Sequence, residues 1–387
     1  MALPDYQGGS IVNLMQSIVA GLGDRATGDH PPHPEVPPEL VRESRHVVLV
    51  VIDGLGFDYL MRVRPDGAIA SLLRGSLTSV FPSTTTSAVT TFLTADAPRQ
   101  HALTGWYMWL REAGVVAAPL PFRIRAGGGN LRDLGVLENS VFDRTPVFDQ
   151  VRRNSFMVQP AHLSSSVYTR ANQGRAVLKP YRTLSGFFAR VRRLTASKTP
   201  SYIYAYWPEL DTLGHRHGME SVAAADHLAE IDGQVARLLA KIRGRGATLL
   251  VTADHGFVDT RPDTWVNLED HPELKDMLAV PLCGEPRAAY CYVHHGAAED
   301  FVAYVRERLS TQCELLSADE LLEGNYFGLG ATHARLKDRI GHYCLIMRGN
   351  YAIRDRLATE RRVKVMVGVH GGTTASEMKV PLALKSA

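Results

Sequence analysis

Cysteine, charge of one sign and long apolar runs are all scarce in this sequence. Its 387 residues include four cysteines, Cys283, Cys291, Cys313 and Cys344, and no Cys-x-x-Cys pair. That number and spacing form neither a disulfide framework nor a known zinc module, so we expect buried thiols in a reducing compartment. The formal net charge of +3 is too small to indicate a nucleic-acid-binding surface. No nucleic-acid polymer is therefore expected as a partner.

Signals for export, membrane insertion and N-glycosylation are missing as well. The N-terminal residues lack a basic region followed by an apolar one, which is the pattern of a signal peptide. The apolar run at 47–52 has six residues, far fewer than the roughly 20 that span a bilayer. Because the sequence also contains no Asn-x-Ser/Thr acceptor, we expect a cytoplasmic protein that does not act at a membrane.

Short apolar runs alternate with stretches of helical periodicity along most of the chain. The runs at 47–52, 202–206, 248–252 and 363–369 have the composition of strands buried on both faces of a parallel sheet. The clearest helix is predicted at 221–243, where apolar residues recur every three or four positions. This alternation predicts an α/β fold with a mostly parallel central sheet flanked by helices.

The segment 286–362 has a different pattern, with short strands and short helices. We interpret it as a small α+β insertion, because the run at 363–369 and the C-terminal MKVPLAL are expected to return to the main sheet. The catalytic domain would then comprise 1–285 and 363–387. The insertion would form either a wall of a substrate cleft or an oligomer contact.

Acidic residues, histidines and hydroxyls follow the predicted strands at the points where they end. Ligands of open α/β sheets bind at the carboxyl ends of strands, so these side chains are expected to converge in one crevice. They are Asp53, the hydroxyl run 83–87, Asp211 with His215, Asp254 with His255, and His370. Each feature alone is more common as a helix cap, a surface turn or a loop, and only the joint pattern predicts a site.

Three carboxylates in one crevice predict bound cations, because unneutralised they would raise one another's pKa values and destabilise the fold. Imidazole together with carboxylate suits Zn²⁺, and Mn²⁺ or Fe²⁺ less well, whereas Mg²⁺ and Ca²⁺ prefer oxygen ligands alone. Three carboxylates and three imidazoles provide three ligands for each of two divalent ions. Such a pair of ions with open positions is typical of a catalytic two-metal site that attracts an anionic substrate.

The hydroxyl run precedes a predicted helix, SAVTTFLT, whose N-terminus favours negative charge. A hydroxyl there that a metal ion helps to deprotonate is a candidate nucleophile near neutral pH. The run alone does not say which of its hydroxyls has that role.

At these residues the sequence resembles the alkaline phosphatase superfamily, and most closely its type I phosphodiesterase/nucleotide pyrophosphatase branch. The motifs occur in the family's order between residues 47 and 378, and they are VVLVVIDGLG, FPSTTTSAVTTFLTAD followed by HALTGW, YWPELDTLGHRHG, LLVTADHGF and GVHGGTTASEM. The resemblance implies the family's mostly parallel sheet, and it implies zinc, since known members are usually zinc enzymes.

Carried over residue by residue, the resemblance assigns Asp53, Thr85, Asp254 and His255 to one metal. Asp211, His215 and His370 would hold the other metal. Thr85 matches the family's nucleophile, although neighbouring Thr84 and Thr86 leave the register open by one residue. The branch commonly has Phe-Pro-Asn after the nucleophile, whereas Thr86-Ser87-Ala88 stands here, so a nucleotide substrate does not follow from the resemblance.

The predicted function is hydrolysis of phosphodiester or pyrophosphate bonds in a small phosphate ester, through a covalent phospho-threonine at a two-metal site with zinc, or else manganese. A phosphomonoesterase or phosphonate hydrolase with the same chemistry is the alternative. It would need a positive group for the additional phosphoryl charge, which Arg99, Arg123 or Arg125 could supply. A metal-binding module without activity is the non-enzyme alternative, although all seven ligand positions are present. The oligomeric state is left open.

Overall fold

The computed structural model describes residues 1–23, 28–360 and 366–386. The strands are β1 (His46–Ile52), β2 (Leu73–Thr78), β3 (Met108–Leu110), β4 (Val115–Ala118), β5 (Arg123–Ile124), β6 (Asn154–Pro160), β7 (Val177–Tyr181), β8 (Ser201–Trp207), β9 (Ala247–Thr252), β10 (Val258–Asp259), β11 (Trp265–Asn267), β12 (Cys283–Glu285), β13 (Ala288–Cys291), β14 (Cys313–Ser317), β15 (Tyr343–Met347), β16 (Ala352–Arg354), β17 (Gly368–Val369) and β18 (Lys379–Lys385).

Helices cover both faces of the larger sheet and part of the smaller ones. The α-helices are α1 (Ile11–Leu22), α2 (Pro38–Glu43), α3 (Phe57–Val63), α4 (Thr85–Thr94), α5 (Pro98–His101), α6 (Glu138–Val141), α7 (Val147–Gln150), α8 (Val167–Asn172), α9 (Leu184–Leu194), α10 (Glu209–His217), α11 (Val222–Ile242), α12 (Pro272–Asp276), α13 (Ala298–Arg308), α14 (Ala318–Glu323), α15 (Leu336–Arg339) and α16 (Ala375–Met378). Within the described residues, no helix is both long and apolar enough to cross a bilayer.

The central sheet has the strand order β2-β18-β9-β1-β8-β6-β7. Strands β9, β1, β8, β6 and β7 run parallel, and β18 is antiparallel to both β2 and β9. Every residue of β1, β8 and β9 is buried, as expected for continuous apolar strands with helices on both faces. The predicted α/β class with a mostly parallel sheet is confirmed.

Local sequence signals account for the helices beside this sheet. In α11, which lies within the predicted 221–243, the buried residues recur at helical spacing from Ala224 to Ile242, and Ser221 caps the first turn by accepting from the amide of Ala224. In α14, Ser317 and Glu320 form the reciprocal hydrogen bonds of a capping box.

A second, four-stranded antiparallel sheet has the order β12-β13-β15-β14 and carries α13 and α14. We call residues 283–347, which contain this sheet, the lobe. Two apolar clusters separate from the main core form the interior of the lobe, one around Tyr290 and Phe327 and one around Phe301 and Leu345. The sheet begins slightly before residue 286, and the domain boundaries at 286 and 362 stay predictions.

The run at 363–369 was predicted as a central strand, and its described part, residues 366–369, does not join the central sheet. Residues 361–365 lie outside the described part of the chain, and Gly368–Val369, β17, pairs antiparallel with β10 rather than with the central sheet. The reason is the position of Gly368, whose backbone lies against the backbone of Gly214 in α10 with no room for a Cβ. The C-terminal strand β18 does join the central sheet, as predicted from MKVPLAL.

Candidate functional site

Most side chains of the candidate site lie just after the carboxyl ends of three neighbouring strands. Asp53 follows β1, Asp254 and His255 follow β9, and Asp211 lies in α10 just after β8. Because β8, β1 and β9 are adjacent and parallel, their ends meet at one edge of the sheet. His370, which follows β17, reaches the same place from outside the sheet.

Asp211, His215 and His370 form one half of the site. Asp211 and His215 lie one helical turn apart in α10, with Nε2 of His215 3.3 Å from Oδ1 of Asp211. Nε2 of His370 lies 3.2 Å from Nε2 of His215 and 3.7 Å from the same Asp211 oxygen. Nδ1 of His215 donates to the carbonyl oxygen of Gly368 over 2.9 Å, so Nε2 is the ring nitrogen that faces Asp211 and His370.

Asp53, Asp254 and His255 form the other half, with Thr85 beside them. Nε2 of His255 lies 3.3 Å from Oδ1 of Asp53, 3.6 Å from Oδ2 of Asp254 and 3.2 Å from Oγ1 of Thr85. The outer oxygens have their own partners: Tyr206 donates its hydroxyl proton to Oδ2 of Asp53, and the amides of Gly54 and His255 donate to Oδ1 of Asp254.

The two inward carboxylate oxygens lack hydrogen bonds. Oδ1 of Asp53 and Oδ2 of Asp254 are buried and accept no hydrogen bond from the described residues, and the imidazole Nε2 of His255 lies 3.3 and 3.6 Å from them. A buried carboxylate oxygen that accepts no hydrogen bond is costly, so this pair favours a cation-binding role over a packing role. Two carboxylates with imidazole nitrogens are a donor set that fits Zn²⁺ or Mn²⁺.

Burial and the neighbouring charges shift the pKa values of these groups far from their ordinary range. Burial, followed by the charge on Asp53, raises the pKa of Asp254 to about 8, and burial with the charge on Asp211 raises that of Asp53. Burial opposes the charging of His255, but Asp254 and Asp53 outweigh it and raise its pKa to about 10. Burial and the two neighbouring histidines lower the pKa of His370 well below its ordinary value. Divalent cations would neutralise the clustered carboxylates and displace the protons that the raised pKa values retain.

The described residues contain two groups of three potential metal ligands. Within each group, the three ligand atoms lie within 4.8 Å of one another. One is Asp53, Asp254 and His255, and the other is Asp211, His255 and His370. His255 belongs to both groups, and its ring stacks on that of His370 at 3.7 Å. The structure thus brings all seven predicted side chains together, while the division of ligands between two metals stays a prediction.

Of the three consecutive threonines, Thr85 has the exposure and position of a reacting group. Thr85 is the first residue of α4 and is partly exposed, whereas Thr84 and Thr86 are buried. The Thr84 hydroxyl donates to Glu285 over 2.6 Å. Geometry therefore favours the predicted register, in which Thr85 lies beside His255.

Two residues of this site were missed by sequence reasoning, Tyr206 and Glu285. Tyr206 lies in the apolar run of β8, where it has the pattern of a core aromatic. Glu285 ends β12, and no motif marks it. It is 8% exposed, and burial raises its pKa to about 7.

The three arginines considered for substrate binding have other positions. The side chain of Arg125 is buried in ion pairs with Asp355 and Glu360. Arg99 donates to the carbonyl oxygens of Leu322 and Gly328. Arg123 is exposed in β5. Hence Arg99 and Arg125 are engaged in structural contacts.

Comparison with known proteins adds a family and a fold. The family described as type I phosphodiesterase/nucleotide pyrophosphatase matches residues 47–373. Murine ectonucleotide pyrophosphatase/phosphodiesterase 5 superposes with a TM-score of 0.66 at 16% identity, covering 87% of each chain. An inactive variant of that protein, in complex with AMP, superposes with a TM-score of 0.65 at 16% identity over the same 87% of each chain.

A bacterial structure has the same fold. Phosphonoacetate hydrolase from Sinorhizobium meliloti 1021, in complex with phosphonoformate, gives a TM-score of 0.60 at 18% identity, covering 88% of this chain and 90% of that one. At such identities the structural likeness shows the fold alone. No curated protein sequence gives a significant match.

Proposed function

The chain belongs to the type I phosphodiesterase/nucleotide pyrophosphatase family, and we propose that it hydrolyses phosphodiester or pyrophosphate bonds of small phosphate esters with two divalent metal ions. The observation that carries the proposal is the pair of buried carboxylate oxygens that accept no hydrogen bond, on Asp53 and Asp254, beside histidines and a partly exposed threonine hydroxyl. A cytoplasmic location is part of the proposal, and the four cysteines are free and buried.

The proposed ligands follow the resemblance. Asp53, Thr85, Asp254 and His255 would hold one ion, and Asp211, His215 and His370 the other. Zinc is the expected metal and manganese the alternative, because imidazole and carboxylate occur together. When bound, such ions supply positive charge that stabilises the phosphoryl oxygens in the transition state.

Thr85 is the proposed nucleophile. Its Oγ1 would form a bond to phosphorus as the bond between phosphorus and the leaving oxygen breaks, and its hydroxyl proton would pass to solvent. Water would then hydrolyse the phospho-threonine and restore the hydroxyl. In support, the inactive variant of the murine protein carries a threonine-to-alanine substitution.

The N-terminus of α4 would bind the phosphoryl group. The amides of Thr85, Thr86 and Ser87 have no hydrogen-bond acceptor within the described residues. They lie at the positive end of the helix dipole, which favours phosphoryl oxygens. Binding there would orient phosphorus toward the Thr85 hydroxyl.

Diesters are the preferred substrates of this proposal. A monoester carries an additional negative charge, and Arg99 and Arg125 are bound to other groups. Phosphonate hydrolysis is the second candidate, favoured by the structural likeness to phosphonoacetate hydrolase.

The deciding experiment compares aryl phosphodiesters, aryl monoesters and phosphonoacetate on one preparation loaded with zinc or manganese. We expect the diester to have the largest kcat/KM. Thr85→Ala should reduce turnover by about 10³-fold or more, whereas the matched control Thr311→Ala, at an exposed threonine of the lobe, should not. Full turnover by metal-loaded Thr85→Ala would reject the proposed nucleophile, and absence of turnover on all three substrates would reject both the preference for diesters and the phosphonate alternative.

A further inference from the structure

The threonine that precedes the nucleophile does not cap its own helix. Thr84 is the N-cap residue of α4, yet its side chain makes no capping hydrogen bond. Ser166, Thr183, Ser221 and Ser317 cap α8, α9, α11 and α14 in the usual way, each accepting from the third amide of its helix. The Thr84 hydroxyl instead points away from the helix and donates to Oε1 of Glu285.

The side chain of Glu285 lies between the segment that contains Thr84 and Thr85 and the segment that contains His370 and Gly371. The same oxygen that accepts from Thr84 also accepts from the amide of Trp106 over 2.7 Å. On its other side, the backbone of Gly371 lies so close that a Cβ there would be 2.6 Å from Cβ of Glu285. Gly371 follows His370, so one lobe side chain touches both the nucleophile segment and the segment of a predicted metal ligand.

We propose that Glu285 is a positioning residue for the nucleophile. By holding the Thr84 hydroxyl away from α4, it keeps the first amides of the helix free for a phosphoryl group, and it fixes the start of α4 so that Thr85 lies beside His255. The inference rests on the proposed function, and it assigns the lobe a part in binding the phosphoryl group.

Loss of Glu285 would let Thr84 behave as an ordinary N-cap. Its hydroxyl would rotate toward the amides of Thr86 and Ser87 and compete there with the phosphoryl oxygens of substrate. A glutamine at 285 would prevent this, because its amide oxygen can still accept from both Thr84 and Trp106. The proposal therefore concerns an acceptor at this position and not a charge.

The test uses zinc-loaded protein, with inorganic phosphate binding measured by calorimetry and kcat and KM measured on an aryl phosphodiester. We expect Glu285→Ala to weaken phosphate binding and raise KM by about tenfold, and Glu285→Gln to keep both within about twofold of wild type. The double variant Glu285→Ala/Thr84→Val should regain phosphate affinity, because valine cannot cap the helix. Glu307→Ala, an exposed acid of the lobe, is the matched control.

A second variant keeps the test decisive if Glu285→Ala does not fold. Thr84→Val leaves the amides free but removes the anchor, so kcat should fall by about tenfold with phosphate affinity kept. Wild-type kcat in Thr84→Val would overturn the proposal, as would a double variant that binds phosphate as weakly as Glu285→Ala. If wild type hydrolyses no phosphate ester, the proposed function fails, and the phosphate affinities still decide the role of Glu285.

Discussion

The buried ion pair between Arg287 and Glu377, which joins the lobe to the segment after His370, should be the electrostatic contact of the lobe that is most sensitive to substitution. Both side chains are 0% exposed, and Nε and Nη2 of Arg287 donate to the two carboxylate oxygens over 3.0 and 2.9 Å. The guanidinium also donates to the carbonyl oxygens of Gly349 and Tyr351. Removing it would leave a fully buried carboxylate without its counter-ion, at a cost of about 3–5 kcal/mol.

We therefore expect Arg287→Met to lower the free energy of unfolding by about 3–5 kcal/mol in urea denaturation followed by circular dichroism. The control is Arg62→Met, whose ion pair with Glu220 is 53% and 67% exposed and should contribute less than about 1 kcal/mol. The double variant Arg287→Met/Glu377→Met should be more stable than Arg287→Met alone, because it leaves no unpaired charge.

A functional consequence follows from the other partners of Glu377. Its Oε1 accepts from the amide of Gly372 over 2.8 Å, two residues after His370. Arg287→Met should therefore retain less zinc than Arg62→Met when both are dialysed against the same chelator and measured by elemental analysis. A loss of stability below about 1 kcal/mol in Arg287→Met would refute the reasoning.

Three more changes test the metal site. Tyr206→Phe removes the hydrogen bond to Asp53 and should weaken zinc affinity by about 10-fold or more in competition with a chelating dye; unchanged affinity would exclude that role. Asp254→Asn should bind less than two equivalents of zinc per chain by elemental analysis, and two equivalents with normal turnover would contradict the ligand set. In metal-free protein, Asp254 with its pKa of about 8 and His255 with about 10 hold protons that the unfolded chain releases. Their contribution to stability is thus lost as pH rises through neutrality, so the chelated protein should melt at a lower temperature at pH 8 than at pH 6, and zinc should largely remove the difference.

The sequence predicted the fold and the site well where a single physical requirement determines the local structure. The continuous apolar runs at 47–52, 202–206 and 248–252 indicated strands buried on both faces, and β1, β8 and β9 confirm this. The candidate residues at the carboxyl ends of these strands lie together as expected, while their roles stay predictions. The spacing of Asp211 and His215 likewise requires a helical turn to bring them together, and α10 provides it. The family resemblance, now confirmed, rested on these same residues.

Tertiary packing decided what the sequence did not reveal. The segment 363–369 has a strand-like composition, but the close approach of Gly368 to Gly214 places β17 over α10 and outside the central sheet. Tyr202, Tyr204 and Tyr206 occupy every second position of β8, so the sequence pattern is the same for all three. Only Tyr206 lies near the carboxyl end of the strand, where its hydroxyl can reach Asp53. Glu285 has no local signal, because its partners are about 180–200 residues away in sequence.

The position of Glu285 also bears on the role of the lobe. Strands β12 and β13 pair from Cys283–Tyr290 to Glu285–Ala288, so Pro286 and Arg287 form the tip of a hairpin. This tip carries Glu285, which accepts a hydrogen bond from Thr84, the residue before the proposed nucleophile, and Arg287, which binds Glu377 beside the His370 segment. A lobe that served only as an oligomer contact would not need buried polar side chains at this point. Substitutions at the hairpin tip should therefore alter phosphate binding and metal retention, whereas substitutions on the exposed face of α13 should leave both unchanged.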